Sequence, residues 1–128
     1  MYSEKVMEHF MMPRNIGFML DPDGQGMAGD LDCGDNMKMF IQAQGGTITD
    51  IRFLVFGCGA AIACGSMTTV LARSKSINDA LKITEQDVID ALGGLPEVKQ
   101  HCSNIGVSAL KAAIQDYLSQ KGNGKGNM

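Results

Sequence analysis

The sequence predicts a small α+β domain: an antiparallel hairpin near its middle, a helix ahead of it, and helices behind it that close over the sheet. Three observations predict this. Met37, Met39, Ile41 and Ala43 alternate with Lys38, Phe40, Gln42 and Gln44, the period-two pattern of a strand with one exception at Phe40. The run Thr47–Phe56 is rich in β-branched and aromatic residues, and Gly45-Gly46 supplies a two-residue turn between the two runs. Towards the C-terminus Val107, Leu110, Ala113, Ile114, Tyr117 and Leu118 share one helical face, with Lys111, Gln115 and Asp116 on the other. This amphipathic helix begins near Cys102 and is expected to pack on the sheet.

The remaining elements follow in chain order. Ser3 is placed to cap a first helix whose apolar residues Val6, Met7, Phe10 and Met11 recur at helical spacing, and Pro13 blocks its continuation. Residues 15–32 are rich in Gly and Asp, include the turn-prone Asp21-Pro22-Asp23-Gly24, and read as a loop. Within them Gly24-Gln25-Gly26-Met27-Ala28-Gly29 has the form of a dinucleotide fingerprint, but no strand is predicted before it and no helix after it, so it is discounted. Residues 60–73 are small and apolar enough for a largely buried helix. Two capping-box patterns, Ser76 with Asp79 and Thr84 with Asp87, start short helices, and Gly93-Gly94 ends the second. Residues 1–120 read as a single domain and 121–128, with nothing to bury, as a disordered tail.

Composition excludes several function classes. With 45% hydrophobic and 20% charged residues the chain is of ordinary globular type. A net charge of -3, with both signs dispersed, offers no basic stripe for a phosphate backbone, so nucleic acid is not an expected partner. No leader-like or membrane-length apolar run is present, which gives a cytoplasmic location by default. Ten Met against five Phe, two Tyr and no Trp predict a core filled by flexible side chains. In a reducing compartment the four cysteines are available as ligands or reactive groups instead of disulfides.

Three of those cysteines sit at special positions. Cys33-Gly34-Asp35 lies where the loop meets the first strand; if the backbone is extended there, a soft thiolate and a hard carboxylate point the same way. The tripeptide alone reads equally as a strand entry followed by a turn. Gly57-Cys58-Gly59 falls at a strand-to-helix junction, where a helix N-terminus favours thiolate, although a small buried residue would also fit. His101-Cys102-Ser103 sets a further thiol beside an imidazole, just before the amphipathic helix. Cys64 differs, standing inside a predicted helix one turn from Met67 and Thr68, a packing position that leaves a fourth-ligand reading open. Paired Cys-x-x-Cys knuckles are absent, against a zinc ribbon or thioredoxin-like site, and no Ser-His-Asp or paired-acid signature marks an enzyme.

Together these residues resemble the IscU/NifU-type iron-sulfur cluster scaffold family. The resemblance is carried by Tyr2-Ser3-Glu4-Lys5-Val6, Pro13-Arg14-Asn15, Cys33-Gly34-Asp35-Asn36-Met37-Lys38, Phe56-Gly57-Cys58-Gly59-Ala60-Ala61-Ile62-Ala63, Leu95-Pro96-Glu97-Val98-Lys99, and His101-Cys102-Ser103 with Lys111-Ala112-Ala113-Ile114. It implies about three antiparallel strands with helices packed on them, the three matched cysteines at one end, and a scaffold instead of an enzyme. It further implies an iron-sulfur cluster, [2Fe-2S] in type, held by Cys33, Asp35, Cys58 and Cys102, with His101 able to help hold iron and Cys102 the persulfide acceptor. Implied partners are a cysteine desulfurase, acceptor proteins, a chaperone contacting residues 95–99 and a second copy in a homodimer. Glu97 stands where many members carry a second Pro, and Cys64 where they commonly carry Ser. The alternative is a zinc-bound persulfide carrier on the same ligands, a branch that usually has an insertion between the second and third cysteines which is absent here.

Overall fold

A computed structural model describes residues 2–30 and 34–122. Among them lie three strands, β1 (Gly24–Asp30), β2 (Asp35–Gln44) and β3 (Thr47–Phe56), in one antiparallel sheet ordered β1-β2-β3. Helix α1 (Glu4–Met11) precedes the sheet, and α2 (Gly59–Ala72), α3 (Ile77–Ala80), α4 (Glu85–Ala91) and α5 (His101–Gly122) follow it. The α+β class predicted from the hairpin and the amphipathic helix is the class observed.

The hairpin forms as its residues require. Gly45 and Gly46 both take positive φ, 59° and 80°, the conformation a tight turn between right-twisted strands needs. On one face Met37, Met39, Ile41, Ile51 and Phe53 are fully buried, beneath α2 and α5. Phe40, the exception to the alternation, is buried on the opposite face, where the Phe18 ring meets it edge-on at 5.7 Å between centroids. The segment ahead of β1 therefore covers part of the second face. It is also tied along β3: Phe53 N–H donates to the Asn15 carbonyl at 2.9 Å and Gly17 N–H to the Phe53 carbonyl at 2.8 Å.

The expected loop over 15–32 is corrected here, because Gly24–Asp30 is a strand paired along its length with β2. Its glycines hide it from periodicity but suit its place. A Cβ on Gly24 would lie 2.3 Å from the Ala113 carbonyl oxygen, and one on Gly26 2.4 Å from the Ala113 nitrogen. Side-chain-free backbone lets α5 lie directly on β1. The apparent nucleotide fingerprint is thus the floor under a helix.

Other expectations shift by smaller amounts. Ser3 does cap α1, accepting from Val6 N–H at 3.0 Å, and its hydroxyl donates to the Leu92 carbonyl. Of the apolar face expected for α1 only Val6 is buried; Met7, Phe10 and Met11 are exposed, while His9 is buried instead. Thr84 and Asp87 form a reciprocal capping box, and Gly94 N–H returns to the Ile89 carbonyl at 2.8 Å to close α4. On α5, Val107, Leu110, Ala113 and Ile114 are buried as expected, whereas Leu118 is exposed. Helix α5 runs through Lys121 and Gly122, and the rest of the expected tail, 123–128, lies outside the described residues. Methionine is not confined to the core: Met19, Met37, Met39 and Met67 are buried, but Met7, Met11, Met12 and Met27 are exposed.

Candidate functional site

Three element ends converge at one end of the sheet. Antiparallel pairing of β2 with β3 sets Asn36 opposite Phe56, so Asp35, which opens β2, lies beside the exit of β3 into Gly57 and Cys58. Cys58 is the N-cap residue of α2 and Cys102 the second residue of α5. Four side chains from three distant segments of the chain thereby meet: Asp35, Cys58, and the adjacent His101 and Cys102.

The geometry is tight. The two sulfurs of Cys58 and Cys102 are 3.8 Å apart, and Asp35 Oδ2 lies 3.6 Å from the first and 3.8 Å from the second. Asp35 Oδ1 accepts from the Cys58 N–H at 3.3 Å. The Nε2 atom of His101 stands 3.7 Å from the Cys102 sulfur and 3.8 Å from Asp35 Oδ2. Cys102 and Asp35 are buried, and Cys58 and His101 are half-buried.

These separations have a chemical meaning. A tetrahedral ion about 2.3 Å from each sulfur and about 2.0–2.2 Å from an oxygen sets two sulfurs about 3.8 Å apart and sulfur from oxygen about 3.5–3.7 Å apart. The observed edges match. Among the described residues Asp35, Cys58 and Cys102 are the group whose ligand atoms all fall within 4.8 Å of one another. The set, two soft donors and one hard, suits zinc or iron.

Charge at the site follows from burial and neighbours. Burial first, and then the adjacent Cys58 sulfur, push the Cys102 thiol well above the usual cysteine range. At this position desolvation works against the thiolate form, so the thiol is favoured until a neighbouring group or a bound metal offsets the cost of burying charge. Lys99, in a 3₁₀ turn at Glu97–Lys99, has its pKa raised above the ordinary lysine value, chiefly by Cys58 and then Tyr2. Its part as a neighbouring cation was not legible in the sequence, where only its place in the 95–99 segment marked it.

The site's surroundings include a buried polar seam. His9 Nδ1 and Ser66 Oγ are 2.7 Å apart, and the same hydroxyl accepts from Arg14 N–H at 2.9 Å, which joins α1 to α2. Phe10 of α1 faces Gly59, and Tyr2, Val6, Met7, Phe10 and Gly59 line an apolar groove beside Cys58. Cys64 is elsewhere, fully buried in the apolar core of α2, where burial first and Cys58 second push its thiol up to about 12.

Cys33 lies outside the described residues, and the extended backbone supposed between it and Asp35 is not found at Gly34, whose φ is 77°. Among the described residues no helix is long and apolar enough to cross a membrane.

Fold and site define a class: a small α+β domain that gathers thiols and a carboxylate from three element ends into a metal-competent corner. Residues 1–123 match the family described as NifU-like N terminal domain, and the chain belongs to that family. It is 51% identical over 122 residues to the iron-sulfur cluster assembly scaffold protein IscU 1 of Archaeoglobus fulgidus, covering 95% of this chain and 80% of that one. It is 44% identical over 124 residues to iron-sulfur cluster assembly scaffold protein IscU of Escherichia coli K12, with 94% and 96% covered. Among solved structures, a NifU-like protein (N-terminal) from Brucella abortus superposes with a TM-score of 0.74 at 15% identity, covering 92% of this chain and 94% of that one. At that identity the likeness is one of fold.

Proposed function

We propose that this chain is a scaffold on which an iron-sulfur cluster is assembled and from which it is handed on, and not an enzyme. The observation that carries the reading is the Asp35, Cys58 and Cys102 corner, whose edges suit a tetrahedral metal and whose donors are mixed in softness. The names of the similar proteins support it. The cluster, [2Fe-2S] in type, is the cargo. Cys33, Cys58 and Cys102 supply sulfur ligands, Asp35 an oxygen ligand, and His101 stands by as a further donor.

Sulfur arrives as persulfide from a cysteine desulfurase. The Cys102 thiolate attacks the outer sulfur of the donor persulfide, a new S–S bond forms on Cys102, and the donor cysteine departs as thiolate. His101 Nε2, 3.7 Å from Cys102 Sγ, is positioned to take the proton. Asp35 makes the site a place of passage, because a carboxylate is a poorer partner than a thiolate for cluster iron. Acceptor proteins then receive the cluster. The exposed Glu97 and Val98 leave the 95–99 segment accessible to a chaperone, a homodimer would let a cluster bridge two copies, and the free thiols call for a reducing compartment such as the cytoplasm.

Anaerobic reconstitution with iron, cysteine and a desulfurase, followed by absorption spectroscopy and metal and sulfide analysis, tests the reading. A chromophore with matching iron and acid-labile sulfide is expected, and Asp35→Ala is expected to lengthen its lifetime in transfer assays. The same tetrahedral edges fit zinc, which favours one second reading, a zinc-bound persulfide carrier. Stoichiometric zinc with no acid-labile sulfide would establish that reading and overturn the first.

A further inference from the structure

We propose that Gly57 is a positioning residue for the Asp35 carboxylate: the space left by its missing side chain is the seat that aims Asp35 at the two sulfurs. The inference rests on the reading of Asp35 as a ligand and deepens it. A Cβ built on Gly57 would lie 2.5 Å from Asp35 Oδ1, 2.8 Å from its Cγ and 3.1 Å from its Cβ. All three nearest atoms belong to Asp35, so this one side chain occupies the room that alanine would need.

Backbone conformation is not the reason for glycine here. Gly57 is not among the residues of positive φ, so an alanine backbone is unstrained and the conflict is with the carboxylate. Nor can the carboxylate easily retreat. Asp35 opens a strand held in register against Asp30 on one side, while Asn36 pairs with Phe56 on the other. Its side chain is 8% exposed. One oxygen takes the Cys58 N–H at 3.3 Å only because the carboxylate lies along the Gly57–Cys58 backbone, and this leaves the other oxygen facing both sulfurs. The second glycine flanking Cys58 has a different neighbour, since a Cβ on Gly59 would meet the Phe10 ring at 3.1 Å. Two glycines that look alike in sequence thus have separate duties.

The test is anaerobic titration of the full chain with Co2+, read by its visible ligand-field absorption, in wild type, Gly57→Ala, Asp35→Gly and the double variant. The expected result is that Gly57→Ala takes on the Asp35→Gly spectrum, with Co2+ affinity about tenfold or more below wild type. Added to Asp35→Gly, it should change nothing further. A Gly57→Ala protein with the wild-type spectrum and affinity overturns the inference, as does a loss of equal size with and without Asp35. If Gly57→Ala alone fails to fold, the double variant, which lacks all three clashing atoms, should fold as Asp35→Gly does; its failure to fold overturns the inference too. Identical spectra for wild type and Asp35→Gly would sink the ligand reading itself, and the inference with it.

Discussion

Cys64 and Cys102 are both fully buried, both carried by helices, and both pushed up by burial. Their surroundings nevertheless differ in kind. Cys102 faces a second sulfur, a carboxylate oxygen and an imidazole nitrogen, all at 3.7–3.8 Å. Cys64 lies in the middle of α2 among apolar residues, outside the group that could hold a metal. Burial is therefore common to a packing cysteine and a candidate ligand; convergence of several donors on one point separates them.

The comparison breaks most readily on metal affinity. Cys102→Ser should lower Co2+ affinity by more than about 100-fold, beyond the cost of losing an outer-sphere partner, whereas Cys64→Ser should leave it unchanged; equal losses in calorimetric titration would erase the distinction. Stability should show the reverse order. A hydroxyl at position 64 lies in apolar surroundings and should cost about 1–3 kcal/mol in urea denaturation, while one at position 102 can bond the Asp35 carboxylate and should cost less.

The pH dependence sharpens the contrast. Because the folded Cys64 thiol is raised to about 12 from an ordinary value of 9.0, the unfolded chain releases its proton first as pH climbs. The resulting stability is whole below about pH 9 and is lost between there and about pH 12. Cys64→Ala should flatten that alkaline limb, as followed by thermal melts across pH. His9 gives the smallest effect, at the acid end. Burial, and secondarily Arg14, lower its folded pKa, so the unfolded chain binds the proton more readily and stability falls as pH drops below about 6.5. His9→Gln, whose amide can still pair with Ser66, should reduce that acid slope; an unchanged slope would remove His9 from the account.

Much of this was legible in the chain itself. The β2–β3 hairpin, the helix caps and the buried face of α5 follow from local patterns whose energetics are local: turn residues, N-cap acceptors and apolar spacing. Strand β1 was not legible, because Gly24 and Gly26 are chosen for what α5 does above them and leave no alternation to read. The burial of His9 and the exposure of Met7, Phe10 and Met11 were likewise hidden. An apolar stripe shows that a helix has a face, but α1 turns another one inward, where His9 pairs with Ser66 of α2 at 2.7 Å.

For the candidate site the division is sharper. The sequence by itself determined which donors are available, their softness, and their placement at strand and helix ends, since those are properties of residue type and local backbone. Only the tertiary structure decided that Asp35, Cys58 and Cys102 meet with edges of 3.6–3.8 Å while Cys64 stays in the core. Their separations are set by the β2–β3 register and by the packing of α2 and α5 on the sheet, long-range contacts that no local pattern encodes.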